Sequence, residues 1–165
     1  MSGAPLLYLD QNYLSGIVKR KPGFRELEPV LRAAVKRGAV RVPESAAHRL
    51  ESARRPDLPV LALLRELSRG VELPAEAKAR ERNIERRLRR FMAAQLPERR
   101  RRSSDDVDLR MLAIALPRCK LVTCDAFMVD VVRRAALDRR FGCELFSGRR
   151  DDVMRLRQRL GTLAS

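Results

Sequence analysis

The stretch SSDDVDLRMLAIALPRCKLVTCDAF, residues 103–127, decides the fold class. Two serines and three aspartates open it, and these favour a helix start because hydroxyls cap unpaired N–H groups and acids stabilise the positive end of the helix dipole. Apolar residues recur at helical spacing until Pro117, and an apolar run then ends at Asp125. Such a run, without polar alternation, is typical of a strand buried on both faces of a parallel sheet.

The same pattern continues on both sides of that stretch. An apolar run at 6–9 ends at Asp10, and 39–43 and 143–147 are further short strand candidates. Strands separated by helices predict an α/β fold with a mainly parallel sheet that helices cover on both faces. Helices are predicted over 13–18, 24–35, 44–55, 57–70, 75–96, 103–116, 127–140 and 153–163.

Length and composition indicate one globular domain over residues 1–165, with a basic helical insertion around 75–102. The formal net charge of +15 favours a polyanionic or acidic partner. Aromatic residues make up only 4% of the chain and Trp is absent, so any nucleic-acid binding would depend on charge more than on base stacking.

The cysteines and the hydropathy favour a soluble cytoplasmic protein. Cys119, Cys124 and Cys143 lack CxxC spacing, so they are interpreted as small buried side chains in a reducing compartment. No apolar run approaches the roughly 18 residues that a membrane-spanning helix needs. We therefore expect no membrane association.

Four acids fall where the predicted elements can bring them together. Asp10 and Asp125 end strands, and ligands of parallel sheets bind beyond the carboxyl ends of the strands. Asp108 lies in the first turn of a helix, and Glu51 lies within the helix that follows residues 39–43. Converging carboxylates repel one another, and Mg²⁺ or Mn²⁺ relieves that repulsion. The pattern predicts a catalytic metal site that hydrolyses phosphodiesters.

Structural interpretations of the aspartates stay open. Asp10 can cap the helical segment after it, and Asp105 and Asp106 can be helix-start acids that satisfy the dipole. Asp105 lies one helical turn before Asp108, so the two can share a helix face.

The second acidic position has two candidates. Glu51 can instead pair with Arg54 or Arg55 at the surface, and Glu44 competes for its role, although its place after Pro43 favours a cap. The sole histidine, residue 48, is interpreted as a packing residue rather than a base.

A basic stretch leads into the acidic helix. A run of arginines is often only a solvated helix face, but its position here favours phosphate binding beside the site. The predicted nucleic-acid-binding residues are Arg82, Arg86, Arg87, Arg89, Arg90, Arg99, Arg100, Arg101 and Arg102.

Three segments together resemble the PIN-domain ribonuclease family. LYLDQNYL (7–14) resembles the family's opening strand and first acid, and VPESAAHRLE (42–51) its second segment, with a Glu on a helix. SDDVDLRMLAIALPRCKLVTCDAF (104–127) is the closest match, with an acid-starting helix and a strand that ends in Thr-x-Asp. Residues 58–102 match least.

This resemblance implies a three-layer α/β/α sandwich and an endoribonuclease that cleaves single-stranded RNA with Mg²⁺ or Mn²⁺. Many relatives are toxins of bacterial toxin–antitoxin pairs, often dimeric and neutralised by a small antitoxin protein. The alternative is a non-catalytic nucleic-acid-binding or assembly module with this fold. Carried over, the acidic site comprises Asp10, Glu51, Asp108 and Asp125, with Asp105 as an additional acid and Asn12 and Thr123 as supporting residues.

Overall fold

A computed structural model describes residues 3–95 and 102–165, which form an α/β fold around a small parallel sheet. The sheet has the order β1-β2-β3, with β1 at Leu7–Tyr8, β2 at Leu121–Thr123 and β3 at Glu144–Phe146. The helices are α1 (Gln11–Val18), α2 (Phe24–Lys36), α3 (Ala46–Arg54), α4 (Val60–Ser68), α5 (Ala79–Gln95), α6 (Ser103–Ala115), α7 (Ala126–Arg134), α8 (Leu137–Phe141) and α9 (Arg150–Leu163).

The strands contribute to two hydrophobic clusters because successive side chains point to opposite faces of a sheet. Leu7 and Leu121 are register partners and belong to a cluster with α1, α2, α4 and α9. Their neighbours Tyr8 and Val122 belong to a second cluster with α5, α6 and α7. The short sheet therefore lies between two apolar cores, and its carboxyl edge is left for polar side chains.

The predicted strand at 39–43 is wrong. The segment forms a single parallel bridge, between Leu6 and Arg41, and this bridge does not extend into a ladder. Pro43 has no N–H to donate to a ladder, and Glu44 bonds instead to the chain after α4, donating to the Val71 carbonyl at 2.8 Å.

The predicted helix at 127–140 is two helices in the structure. Ala136 has a φ of 56°, in the left-handed region that interrupts helical hydrogen bonding. This residue separates α7 from α8, a break that the Ala-Ala-Leu sequence did not reveal.

The apolar faces of α5 and α9 are buried. Ile84 and Leu88 of α5 and Leu156 of α9 are at most 4% exposed, so these faces pack in the cores. The three cysteines are buried and unbonded to one another, as expected. Among the described helices, none has the length and hydropathy to cross a membrane.

Candidate functional site

All four predicted acids line one pocket at the carboxyl edge of the sheet, which we call the acidic pocket. Its cavity volume is about 290 Å³. The acids come from separate places in the chain, since Asp10 follows β1, Asp125 follows β2, Glu51 lies on α3 and Asp108 on α6. The other lining residues are Tyr8, Gln11, Asn12, Ala47, Arg102, Ser104, Met111, Leu112, Thr123, Cys124 and Met128.

Asp10 is held at the end of β1 by Thr123 of the neighbouring strand. The Thr123 hydroxyl donates to Asp10 Oδ1 at 2.8 Å and accepts from the Asp10 N–H, also at 2.8 Å. Asp10 Oδ1 also accepts from the Tyr13 N–H at 3.2 Å, so the carboxylate caps α1. Capping and lining the pocket are therefore combined in this residue.

Asp125 occupies the equivalent position after β2. It is the N-cap of α7, and its Oδ1 accepts from the Met128 N–H at 2.8 Å. The parallel register of β1 and β2 brings Asp10 and Asp125 to the same edge, where the charge of Asp125 acts on Asp10.

Burial and repulsion between carboxylates raise the pKa values of Asp10, Glu51 and Asp108. Burial raises the pKa of Asp10 to about 6, against the lowering effect of its bond with Thr123. Burial, then the charges of Asp108 and Asp10, raises the pKa of Glu51 to about 7. Burial also raises the pKa of Asp108 to about 6, with Asp125 and Asp10 as the next causes. A bound cation would reverse these effects by favouring the charged forms.

The two candidates for the second acidic position lie in different surroundings. Glu44 is only 6% exposed, accepts from Arg49 at 2.9 Å and lies 3.7 Å from Arg65. Glu51 lines the pocket, where the charge of Asp108 helps to raise its pKa. The geometry favours Glu51 over Glu44 as a ligand, and its role in catalysis stays a prediction.

The three acids at the start of α6 also differ in their contacts. Asp105 is buried, and its Oδ2 accepts from the Arg102 N–H at 2.9 Å in a capping interaction. Asp106 pairs with Arg89 of α5. Asp108 lines the pocket, and the charge of Asp105 raises its pKa slightly further.

The donor set suits a hard cation, although the carboxylates are not gathered into a closed cluster. In the part of the chain that the structure describes, no group of three or more His, Cys, Asp or Glu side chains is arranged to hold an ion directly. Mg²⁺ commonly keeps several waters and takes only one or two carboxylates. An open pocket lined by Asp10, Glu51, Asp108 and Asp125 fits that mode of binding.

Most of the predicted basic residues on α5 have intramolecular partners. Arg82 donates to the Ala77 carbonyl, and Arg87 donates to the Ala135 carbonyl. Arg86 bonds to Asn83, Arg89 pairs with Glu85 and Asp106, and Arg90 is exposed. Arg99, Arg100 and Arg101 lie outside the described residues, whereas Arg102 lines the acidic pocket.

Among the pocket residues that sequence reasoning missed, Tyr8 and Gln11 bring polar groups. Tyr8 lies two residues before Asp10, and a period of two along an extended chain was the signal that could have placed both on one side. Gln11 lines the pocket, and its buried Oε1 has no hydrogen-bond partner among the residues that the structure describes. No sequence pattern indicated this acceptor.

His48 lies beneath the pocket as a buried connection between elements. Its ring is 0% exposed and lies 5.3 Å from the Tyr8 ring, centroid to centroid. Its Nδ1 is 3.0 Å from the Ser45 nitrogen and its Nε2 is 2.6 Å from the Leu9 carbonyl oxygen. The residue packs in the interior, as predicted, and is also fully hydrogen-bonded.

Comparisons with protein-family models, curated proteins and solved structures gave no match. The family resemblance therefore rests on the three ordered sequence motifs. The geometry of the acidic pocket is an independent observation that bears on the same residues.

Proposed function

We propose that this protein is a metal-dependent endoribonuclease that hydrolyses phosphodiester bonds of single-stranded RNA. The observation that carries the proposal is the convergence of Asp10, Glu51, Asp108 and Asp125 on one open pocket. Carboxylates that burial and repulsion keep hard to ionise are unfavourable for the apo fold, and pKa values perturbed in this way are typical of functional sites.

The acidic pocket would hold Mg²⁺ or Mn²⁺ through one or two of its carboxylates at a time, with water molecules as the remaining ligands. When bound, the cation lowers the pKa of a coordinated water and stabilises negative charge on the phosphate. The Thr123 hydroxyl keeps Asp10 oriented by donating a hydrogen bond to its Oδ1. Asn12 lies beside these groups in the pocket and is proposed to support them.

Two further lining residues can contact the substrate. Arg102 brings a guanidinium, which suits phosphate because its planar fork can bond two oxygens at once. Gln11 brings an amide, whose N–H groups can donate to a phosphate oxygen or to a base edge. The net charge of +15 would draw a polyanion towards a pocket whose own carboxylates repel it.

A cleavage assay with end-labelled single-stranded RNA tests the proposal. Asp10→Asn and Asp125→Asn are expected to abolish Mg²⁺- or Mn²⁺-dependent cleavage, and EDTA should abolish that of the wild type. Asp57→Asn is the matched control, because Asp57 is an exposed acid that pairs with Arg55 outside the pocket. Wild-type rates in both pocket variants, in preparations free of contaminating nuclease, would refute the site.

The same assay separates the competing functions. Single-stranded RNA, single-stranded DNA and duplexes, compared side by side, show which phosphodiester is hydrolysed. A non-catalytic binding module would instead show salt-sensitive RNA binding without turnover in any metal. The three-layer PIN sandwich, a homodimer, and a toxin role with a small antitoxin remain further parts of the proposal that rest on the family resemblance.

A further inference from the structure

The hydrogen bonds of His48 define its tautomer. The Ser45 N–H donates to Nδ1 at 3.0 Å, so Nδ1 is the acceptor and carries no proton. Nε2 therefore carries the proton and donates it to the Leu9 carbonyl oxygen at 2.6 Å. Burial lowers the pKa of His48 to about 4, in agreement with a neutral ring.

The carbonyl that His48 binds belongs to the peptide group joining Leu9 to Asp10. The N–H of that same peptide group donates to the Thr123 hydroxyl at 2.8 Å. One peptide plane is thus bonded to α3 on one side and to the end of β2 on the other. It lies directly before Asp10, and Glu51 lies one helical turn after His48 on α3.

Helix α3 has few other anchors. Its buried residues are Ala47, His48 and Ser52, so it buries no large apolar side chain. Its one leucine, Leu50, is 62% exposed. Apolar packing therefore holds α3 weakly, and the hydrogen bond from His48 to the Leu9 carbonyl connects it directly to the segment that follows β1.

We propose that His48 is a positioning residue that fixes Glu51 relative to Asp10 and thereby sets the affinity of the acidic pocket for a divalent cation. This inference rests on the proposed function for the identity of the ligand. The hydrogen bond from His48 to the Leu9 carbonyl, which we call the clamp, acts through the backbone of Asp10 and the position of α3. His48 takes no part in proton transfer. Groups that orient metal ligands commonly change metal affinity about 10- to 100-fold when they are removed.

Two amide substitutions of His48 separate positioning from packing. The side-chain amide of Gln can reach the position of Nε2 and donate to the Leu9 carbonyl, whereas that of Asn reaches only the position of Nδ1. Titration calorimetry with Mn²⁺ is expected to show a Kd raised about 10- to 100-fold in His48→Asn and within about threefold of wild type in His48→Gln. Equal Mn²⁺ affinities in the two variants would overturn the inference.

A general loss of stability is controlled by Glu81→Gln. Glu81 is buried and pairs with Arg118 at 2.6 Å, and Arg118 precedes β2 at the sheet edge opposite the acidic pocket. This variant should lose stability but keep the Mn²⁺ affinity of the wild type. A matching drop in its affinity would show that the effect in His48→Asn reports stability alone.

A metal-free measurement tests the clamp separately from the proposed function. Nitrogen chemical shifts should show an Nε2–H tautomer, and hydrogen exchange of the α3 amides should be faster in His48→Asn than in His48→Gln. An Nδ1–H tautomer or equal exchange would overturn the inference even where Mn²⁺ binds. If the wild type neither binds Mn²⁺ nor cleaves RNA while these signatures hold, the proposed function fails and the structural clamp stands.

Discussion

Replacing Asp108 by Asn should stabilise the metal-free protein at neutral pH. Burial and the charges of Asp125 and Asp10 raise the pKa of Asp108 from 3.8 to about 6. Each pKa unit corresponds to about 1.4 kcal/mol, so ionising this side chain destabilises the fold by about 3 kcal/mol when it is fully charged. Because the side chain is only half-buried and its neighbours ionise with it, we expect a gain of about 1–3 kcal/mol in Asp108→Asn.

The sign of the effect depends on pH in a defined way. A carboxyl group whose folded-state pKa is raised contributes stability below its unfolded pKa, near 4, and that stability is lost as the pH rises through about 6. Asn resembles the protonated acid at every pH. The free energy of unfolding of Asp108→Asn should therefore match the wild type near pH 4 and exceed it at pH 7.5.

Urea unfolding followed by circular dichroism, in EDTA at both pH values, measures this difference. Asp57→Asn serves as the control, and because Asp57 belongs to an exposed surface pair, this variant should have nearly the stability of the wild type. A cation at 1,000 times its Kd should reverse the order, since binding then stabilises the wild type by about 4.1 kcal/mol. Destabilisation by Asp108→Asn at pH 7.5 without metal would refute the reasoning.

Four further substitutions have distinct expected outcomes. Thr123→Val removes the hydroxyl that bonds to Asp10 twice, so unfolding in urea should show a loss of about 1–3 kcal/mol, together with slower RNA cleavage. Glu51→Gln should abolish cleavage, whereas Glu44→Gln should mainly lower the melting temperature, since Glu44 is tied to basic neighbours; the reverse result would exchange their roles. Arg102→Ala should reduce the slope of log Kd for RNA against log salt by about 0.7, and an unchanged slope would remove that residue from the phosphate contacts.

The sequence predicts an element best where one local pattern decides it. The segment at 103–127 forms a helix and then a buried strand because capping acids, apolar periodicity and a proline agree. A strand was predicted at 39–43, but this segment forms only one bridge, because the length of a ladder depends on where the chain turns after Pro43. The break falls at Ala136, whose φ of 56° lies in a region that alanine rarely adopts, so the residue type gives no signal for it.

The candidate site was predictable to a different depth at each position. Asp10 and Asp125 follow from strand ends alone, because a parallel sheet brings those ends to one edge. Whether Glu51 and Asp108 face the pocket depends on how their helices are rotated about their axes. Hydrophobic periodicity alone does not distinguish them from nearby acids on or before the same helices. Glu44 forms an ion pair with Arg49, and the sequence did not indicate which of its many arginines would be this partner.

The sequence leaves capping open as an alternative to a site role for Asp10, and the structure shows that a capping residue can also line the pocket. A chain that leaves a parallel strand and enters a helix places the N-cap residue at the carboxyl edge of the sheet. Asp10 and Asp125 occupy this position, and each accepts a backbone N–H from the helix it caps. The cap fixes each carboxylate's rotamer and brings the positive end of a helix towards it. Two neighbouring strand-to-helix turns therefore orient two acids into one pocket before any ligand arrives, and Glu51 and Asp108 complete it from α3 and α6.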